Sequence, residues 1–244
     1  MSGERRSKAG LFQLIGIGYR DLMCGRFVRK GESKKVAEAL GVQDGEENWT
    51  ESYNVAPGST VPIVRDDPTG RHMAPAVWGF TSSGRGPLFN ARAETVDSLP
   101  SFRDHLRVNR CLVPASGFYE WRPSDRQPFY FERVDGLPLA FAGIWKRVGD
   151  HLEATVITTT PNRDMSAIHD RMPVILSSDR WSNWLNPDPL SSAESQSLLC
   201  PSPDGTLTRW PVSRAVGSIR NDTQGLIERV EPQPTAQELF PMSS

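Results

Sequence analysis

Arg110-Cys111-Leu112-Val113-Pro114-Ala115-Ser116-Gly117-Phe118-Tyr119-Glu120-Trp121 is the stretch on which the fold turns. An apolar run closed by a proline, a Ser-Gly break and a second run rich in aromatics read as two strands, Arg110–Pro114 and Gly117–Trp121. Working outward, strand-like runs recur at Thr60–Arg65, His72–Trp78, Phe129–Val134, Leu139–Trp145, Leu152–Thr159 and Pro173–Leu176, punctuated by Pro and Gly. Helical patterning is sparse. Ser33 can N-cap a short helix through Val36, Ala37 and Leu40 with Gly41 as its stop, and Asp179–Leu185 and Ala193–Leu199 look helical. Strands this numerous, without regular helices between them, predict an α+β fold: a mixed, largely antiparallel sheet curled into a barrel, with peripheral helices.

Composition sets bounds on size and setting. At 244 residues, 37% hydrophobic and 23% charged, the chain can bury one sizeable core, and one domain is expected. A net charge of −1 argues against a generally basic nucleic-acid coat but leaves room for a local basic groove. Cys24, Cys111 and Cys200 are odd in number, far apart and without CxxC pairing, so neither a disulfide framework nor a zinc knuckle is supported. A reducing, cytoplasmic setting fits, with no metal or cofactor expected. At the N-terminus, Glu4-Arg5-Arg6-Ser7-Lys8 precedes an apolar run that Gln13 and Gly16 interrupt; no small-x-small cleavage site follows, and the run is too short to span a membrane. The expected division is an extension over 1–22, either a mis-assigned start or a removable leader, a domain over 23–231, and a Pro-containing tail over 232–244.

The chemistry concentrates at Met23-Cys24 and in four later segments. If the chain begins at Cys24, one residue carries a free α-amine and a thiol, whose unperturbed pKa values are about 7.7–8.0 and about 8.5. Such a 1,2-aminothiol condenses with an aldehyde to an imine, and the thiol then closes a five-membered thiazolidine. With residues 1–22 attached, Cys24 has an amide nitrogen and cannot do this. In Phe89-Asn90-Ala91-Arg92-Ala93-Glu94-Thr95, Asn90 donates and accepts hydrogen bonds and Arg92 is a phosphate fork, or the segment is a turn with a surface Arg92–Glu94 pair. Strand alternation in Gly117–Trp121 puts Glu120 on the side of Phe118, where it is either structurally paired or tuned for proton transfer. In Ile168-His169-Asp170-Arg171-Met172-Pro173, His169 is a proton carrier and Arg171 a phosphate ligand, or a structural His stands beside an Asp170–Arg171 surface pair. Trp210–Asp222 reads as scaffold first.

Taken in order, Met23-Cys24-Gly25-Arg26-Phe27, Tyr53-Asn54-Val55-Ala56-Pro57-Gly58, Trp78-Gly79, Asn90–Thr95, Gly117–Trp121, Ile168–Pro173 and Val212-Ser213-Arg214-Ala215-Val216 resemble the SOS-response-associated peptidase (SRAP) family from Met23 to about Asp222. The resemblance implies the family's barrel-like fold and a protein that traps abasic sites in single-stranded DNA covalently through an N-terminal cysteine. Carried over by position, Cys24 is the aminothiol, Asn90 holds its amine end, and Glu120 and His169 transfer protons. Arg92 and Arg171 bind phosphates beside the lesion, and Thr158 lines the pocket. Asn54 and Pro57 pack near the cysteine, and Arg26, Trp78 and Trp121 complete the expected DNA-binding set. The implied partner is single-stranded DNA with an abasic site, joined by replication or repair proteins. A monomer is expected, cytoplasmic and nucleoid-associated when on DNA, with no membrane contact. Peptidase and abasic-site lyase activities come with the resemblance.

Two other readings compete: a general cysteine peptidase using Cys24 and His169, which needs no free N-terminus, and a non-catalytic DNA-binding module. One departure from the family pattern is the loop Thr81-Ser82-Ser83-Gly84-Arg85-Gly86, where aromatic residues often stand and bases can stack; Arg85 is a candidate compensating phosphate contact. Stacking contributes about 1–3 kcal/mol per base. Binding to single-stranded DNA is therefore expected to be weaker than in a relative with an aromatic loop. Titrations across salt concentration check this, and affinity as tight and as salt-steep as in that relative would refute it.

Overall fold

The computed structural model describes residues 24–83 and 86–231; the expectations for the 1–22 extension, for Arg85 and for the 232–244 tail fall outside them. Twelve strands are described: β1 (Phe27–Arg29), β2 (Ser52–Val55), β3 (Thr60–Asp67), β4 (Gly70–Trp78), β5 (Asn90–Arg92), β6 (Arg110–Ala115), β7 (Gly117–Trp121), β8 (Pro128–Arg133), β9 (Leu139–Val148), β10 (His151–Thr159), β11 (Met172–Pro173) and β12 (Leu207–Pro211). The helices are α1 (Ser33–Leu40), α2 (Arg103–Val108), α3 (Arg163–Ser166), α4 (Ser178–Leu185) and α5 (Ser192–Leu198).

β10 organises the larger sheet. One edge pairs antiparallel with β9, while the other runs parallel first to β4 over Leu152–Ala154 and then to β5 over Val156–Thr158. Because β4 pairs with β3, β3 with β6 and β6 with β9, the sequence of pairs returns to β10 and closes a five-stranded mixed barrel. The second sheet, ordered β12-β8-β7-β1-β2, is antiparallel throughout.

Alternation along the strands sorts the side chains into layers. Val61, Ile63, Cys111, Val113, Leu139 and Phe141 of the barrel join Phe27, Phe118 and Phe131 of the second sheet in one core. Their neighbours Val64, Leu112, Ala140 and Ala142 face the opposite way and are covered by Leu40, Leu106, Trp184 and Leu198 of the helices. Val28, Tyr119 and Tyr130 form a third cluster with Val212, Val216 and Leu226 on the far side of the second sheet. Glu120 thus alternates with Tyr119 onto the Phe118 side, between the two sheets.

Most predicted elements are present, with shifted ends. Ser33 is the first residue of α1 rather than its cap, since Glu32 holds the extended N-cap position and no side chain caps the helix; Gly41, at φ +67°, ends it in the left-handed conformation. The Pro173–Leu176 run is a ladder only at Met172–Pro173, with Ile175 making an isolated bridge to Phe141. The elements not anticipated, β1, β2, β5, α2, α3 and β12, span three to six residues each.

Arg110, at the start of β6 and 3% exposed, joins the helical layer to the barrel. Its Nε donates to the Trp184 carbonyl at 2.7 Å, its Nη1 to that of Leu106 at 2.9 Å and its Nη2 to that of Asp188 at 2.8 Å, with further bonds to the Arg107 and Asn186 carbonyls. One cation thereby satisfies carbonyls at the C-terminal ends of both α2 and α4, where the helix dipoles favour positive charge.

Gly117 opens β7 beneath the Tyr130 ring. A Cβ there would lie 2.3 Å from the Tyr130 hydroxyl oxygen and 2.5 Å from the Phe131 carbonyl oxygen. Gly117→Ala is expected to lower stability by about 1–3 kcal/mol through overpacking. Chemical denaturation checks this; an unchanged midpoint would show that the Tyr130 ring yields without cost.

Candidate active site

The pairing of β1 with β7 builds the site. Phe27 stands opposite Phe118, and the Tyr119 N–H donates to the Arg26 carbonyl at 3.0 Å, so the residues preceding β1 run alongside the end of β7. There the Cys24 backbone nitrogen donates to Glu120 Oε1 at 2.5 Å. Both residues are buried, Cys24 6% and Glu120 1% exposed. Cys24 has φ +46°, a left-handed conformation that costs a non-glycine residue about 1–2 kcal/mol. Strain of this kind collects at functional sites, where the surrounding structure enforces it.

Burial dominates the electrostatics. It pushes the Glu120 carboxyl above the usual range, against the opposing pull of His169 and of its hydrogen bonds with Cys24. Burial, reinforced by the negative charge of Glu120, also holds the Cys24 thiol well above its ordinary value, with Arg171 acting in the other direction. With a peptide bond at its nitrogen, Cys24 is therefore held as a thiol rather than a thiolate.

His169 reaches the site from the turn after α3, a helix capped by Asn162, whose side chain accepts from the Met165 N–H. The His169 N–H itself donates to the Met165 carbonyl at 3.0 Å. Its Nε2 stands 4.0 Å from Glu120 Oε2, beyond a direct hydrogen bond. Nδ1 lies 3.1 Å from the Arg171 backbone nitrogen and 3.1 Å from Asp170 Oδ1, and a single ring nitrogen cannot accept from the first and donate to the second. The fixed backbone N–H is the better partner, because the Asp170 side chain is 88% exposed and solvated. Nδ1 is accordingly the acceptor, and in the neutral ring the proton sits on Nε2, on the nitrogen that approaches Glu120.

Arg171, next along, is buried and already paired. Its Nη1 and Nη2 fork onto Glu94 at 2.5 and 2.9 Å, and Nη2 also donates to the Thr158 carbonyl at 2.7 Å. The pair that Glu94 makes is with Arg171, not Arg92, and among the described residues Arg171 forms its ion pair with Glu94 rather than with Asp170. Sequence offered no signal for this contact, whose partners are 77 positions apart. Asn90 and Arg92 occupy β5 in register with Val156 and Thr158, Asn90 half-buried and Arg92 exposed.

Several residues expected to contact DNA are built into the scaffold of the free protein. The Trp78 side chain is buried in the core, its indole N–H donating to the Phe89 carbonyl and its ring packed on Phe27, so it offers no face for stacking. Arg26 is also buried; its Nη1 donates to Asn54 Oδ1 and to the Val216 carbonyl, each at 2.8 Å. Asn54 Nδ2 donates to the carbonyls of Val216, Ser218 and Asn221, so these two side chains clamp the segment after β12 against β1 and β2. Thr158 is fully buried beside Arg171 rather than lining an opening. Trp121 is half-buried against the third cluster, and Pro57 is half-buried in the turn between β2 and β3. Among the described residues no helix is long and apolar enough to cross a membrane, and no group of three His, Cys, Asp or Glu could hold a metal ion.

Known proteins share this arrangement's sequence and fold. The family model described as SOS response associated peptidase (SRAP) matches residues 23–219. Abasic site processing protein YoqW of Bacillus subtilis is 35% identical over 84% of this chain and 99% of its own length. Abasic site processing protein YedK of Escherichia coli is 30% identical over 85% and 100% respectively, and abasic site processing protein HMCES of Gallus gallus 28% over 86% and 78%. A crystal structure of a protein from Bacteroides thetaiotaomicron superposes with a TM-score of 0.74 at 26% identity, covering 85% of this chain and all of that one. From Met23 through the loop that Arg26 and Asn54 clamp, this chain belongs to the SOS-response-associated peptidase (SRAP) family.

Proposed function

We propose that this protein processes abasic sites in single-stranded DNA by forming a covalent thiazolidine with them through the amine and thiol of Cys24, once the residues before it are removed. The observation that carries the reading is the contact of the Cys24 nitrogen with the buried Glu120 carboxylate at 2.5 Å. A carboxyl whose pKa burial raises is a competent base for an α-ammonium placed where the amide now sits. It leaves the neutral amine that attack on an aldehyde requires.

The steps balance without a cofactor. Abasic deoxyribose is mostly a closed hemiacetal, and as the sugar opens His169 can pass the proton across it, its Nε2–H going to the ring oxygen while the anomeric hydroxyl returns its proton to the imidazole. The Cys24 amine adds to the aldehyde carbon, and the carbinolamine loses water to give an imine, with Glu120 relaying protons. The thiol then adds to the imine carbon, forming the C–S bond while its proton passes to nitrogen. The sum is aldehyde plus aminothiol giving thiazolidine plus water. The product shields an aldehyde that would otherwise promote strand cleavage. Any peptidase action is confined to exposing Cys24, and lyase action at the abasic site would diverge from the imine. Arg92, exposed on β5, and Arg171 are the proposed phosphate ligands, and Asn90 the amine-holding residue. Replication or repair proteins are the further partners proposed, with the protein monomeric, cytoplasmic and nucleoid-associated when bound.

A general cysteine peptidase fits the geometry less well. Such an enzyme needs a thiolate beside an imidazolium. Here the thiol is held protonated, and His169 Nε2 approaches Glu120.

One denaturing gel tests the reading with single-stranded DNA bearing one abasic site. Protein beginning at Cys24 is expected to give a shifted band, whereas Cys24→Ala and protein verified by mass to retain residues 1–22 give none. An equal band from the extended protein would sink the proposal. The pH dependence offers a second check. A base must be ionised to act, so the single-turnover rate falls as pH drops through the raised Glu120 pKa, above the ordinary Glu value of about 4.3. Glu120→Gln should remove that step, leave the step due to the amine, and slow the reaction by about 10²–10⁴-fold. An unaltered profile in this variant would show that Glu120 moves no proton.

A further inference from the structure

Arg171 and Glu94 are unequal partners. The arginine side chain is 10% exposed and anchored through Nη2 to the Thr158 carbonyl at 2.7 Å, whereas the glutamate side chain is 47% exposed. The cation is built into the fold and the anion stands at its opening. Arg171 holds Glu94 by a two-pronged fork, the geometry with which a guanidinium also grips two oxygens of a phosphate. Its buried Nε has no hydrogen-bond partner among the described residues, so the cradle is one acceptor short with a carboxylate in place. A phosphate brings more acceptor oxygens than a carboxylate. The Arg171 charge is close enough to act on the Cys24 thiol, which puts the fork beside the reacting residue.

We propose that Glu94 is a displaceable counter-anion: it occupies the Arg171 fork in the free protein and gives it up to a backbone phosphate of the DNA strand that enters the site. This rests on the abasic-site reading above and adds an internal competitor to it. On displacement, the Thr158 carbonyl keeps Arg171 in place, so the arginine exchanges one anion for another without leaving its pocket. Arg92, two residues before Glu94, is near enough to draw the released carboxylate and already contributes to keeping it ionised. The carboxylate thus screens a buried positive charge when no DNA is bound and opposes polyanions generally, with the loss recovered only by a strand that places a phosphate at the fork.

Binding can be separated from crosslinking with single-stranded DNA carrying a tetrahydrofuran abasic analogue, which has no aldehyde. Fluorescence anisotropy at several salt concentrations compares the wild-type domain beginning at Cys24 with Glu94→Gln, each checked by thermal melting. Removing the competitor is expected to tighten binding about three- to tenfold at low salt. It should also steepen the dependence of log affinity on log salt by about 0.7, the value for one phosphate on a single strand, because the displaced wild-type carboxylate takes up a counter-cation that offsets the one its phosphate releases. A carboxylate that merely braces Arg171 would predict weaker binding and an unchanged slope, and that result overturns the proposal. If Glu94→Gln melts below the assay temperature, Glu94→Asp replaces it. Its shorter stem loosens the fork while keeping the charge, so tighter binding at the wild-type slope supports the proposal and equal or weaker binding overturns it. Wild-type protein that binds the analogue while the variant shows no gain refutes the counter-anion alone. Wild-type protein that fails to bind refutes the parent reading with it.

Discussion

Everything at the candidate site depends on the pairing of β1 with β7, a ladder only two residues long in its register, Phe27 with Phe118 and Val28 with Gly117. So short a ladder is weak alone. It holds because Phe27 and Phe118 lie in the core shared by the two sheets, while Val28 packs with Tyr119 on the other face. Slipping the register by one residue would turn Phe27 out of the core and move Cys24 away from Glu120. Apolar packing therefore fixes the position of a polar contact.

The buried polar groups nearby divide into those that hold the frame and those to which the proposed chemistry falls. Arg26 and Asn54 have their hydrogen-bonding capacity directed to main-chain carbonyls of the 216–221 segment and to each other, which is how buried polar groups are made tolerable. Glu120 instead has one oxygen on the Cys24 nitrogen and the other 4.0 Å from His169, and its hydrogen bonds with Cys24 and with the Trp121 backbone oppose the burial that raises its pKa.

Much of this was legible in the sequence, for physical reasons that also mark its limits. The long strands announced themselves through alternating or continuous apolar runs, and the Phe118–Glu120 side assignment followed from period two alone. β1, β2 and β5 escaped because three or four residues hold too little periodicity, and what makes them strands lies more than 20 positions away in β7, β1 and β10. The ordered motifs singled out Cys24, Glu120 and His169, which the fold does gather. They also included Trp78 and Arg26, and the resemblance added Thr158 as a pocket-lining position, but the side chains of all three are enclosed by the core or the clamp. Residue type states what a side chain can do, and only burial says whether a ligand can reach it. The Glu94–Arg171 pair had no trace in the sequence because both residues have nearer oppositely charged neighbours along the chain.

The shared edge of β10 has a consequence for engineering. β4 and β5 lie end to end along that edge, so the chain leaves it at Gly79, whose N–H donates to Ala154, and rejoins at Phe89, whose carbonyl accepts from Val156. Departure and return are thus pinned two rungs apart on one strand, and Phe80 and Leu88 exchange a further pair of bonds just outside. Closing a longer excursion between such fixed points adds only about 0.6 kcal/mol per doubling of its length. The barrel carries a built-in port, a place where foreign peptide can be grafted while every strand of the closed ring keeps its partners.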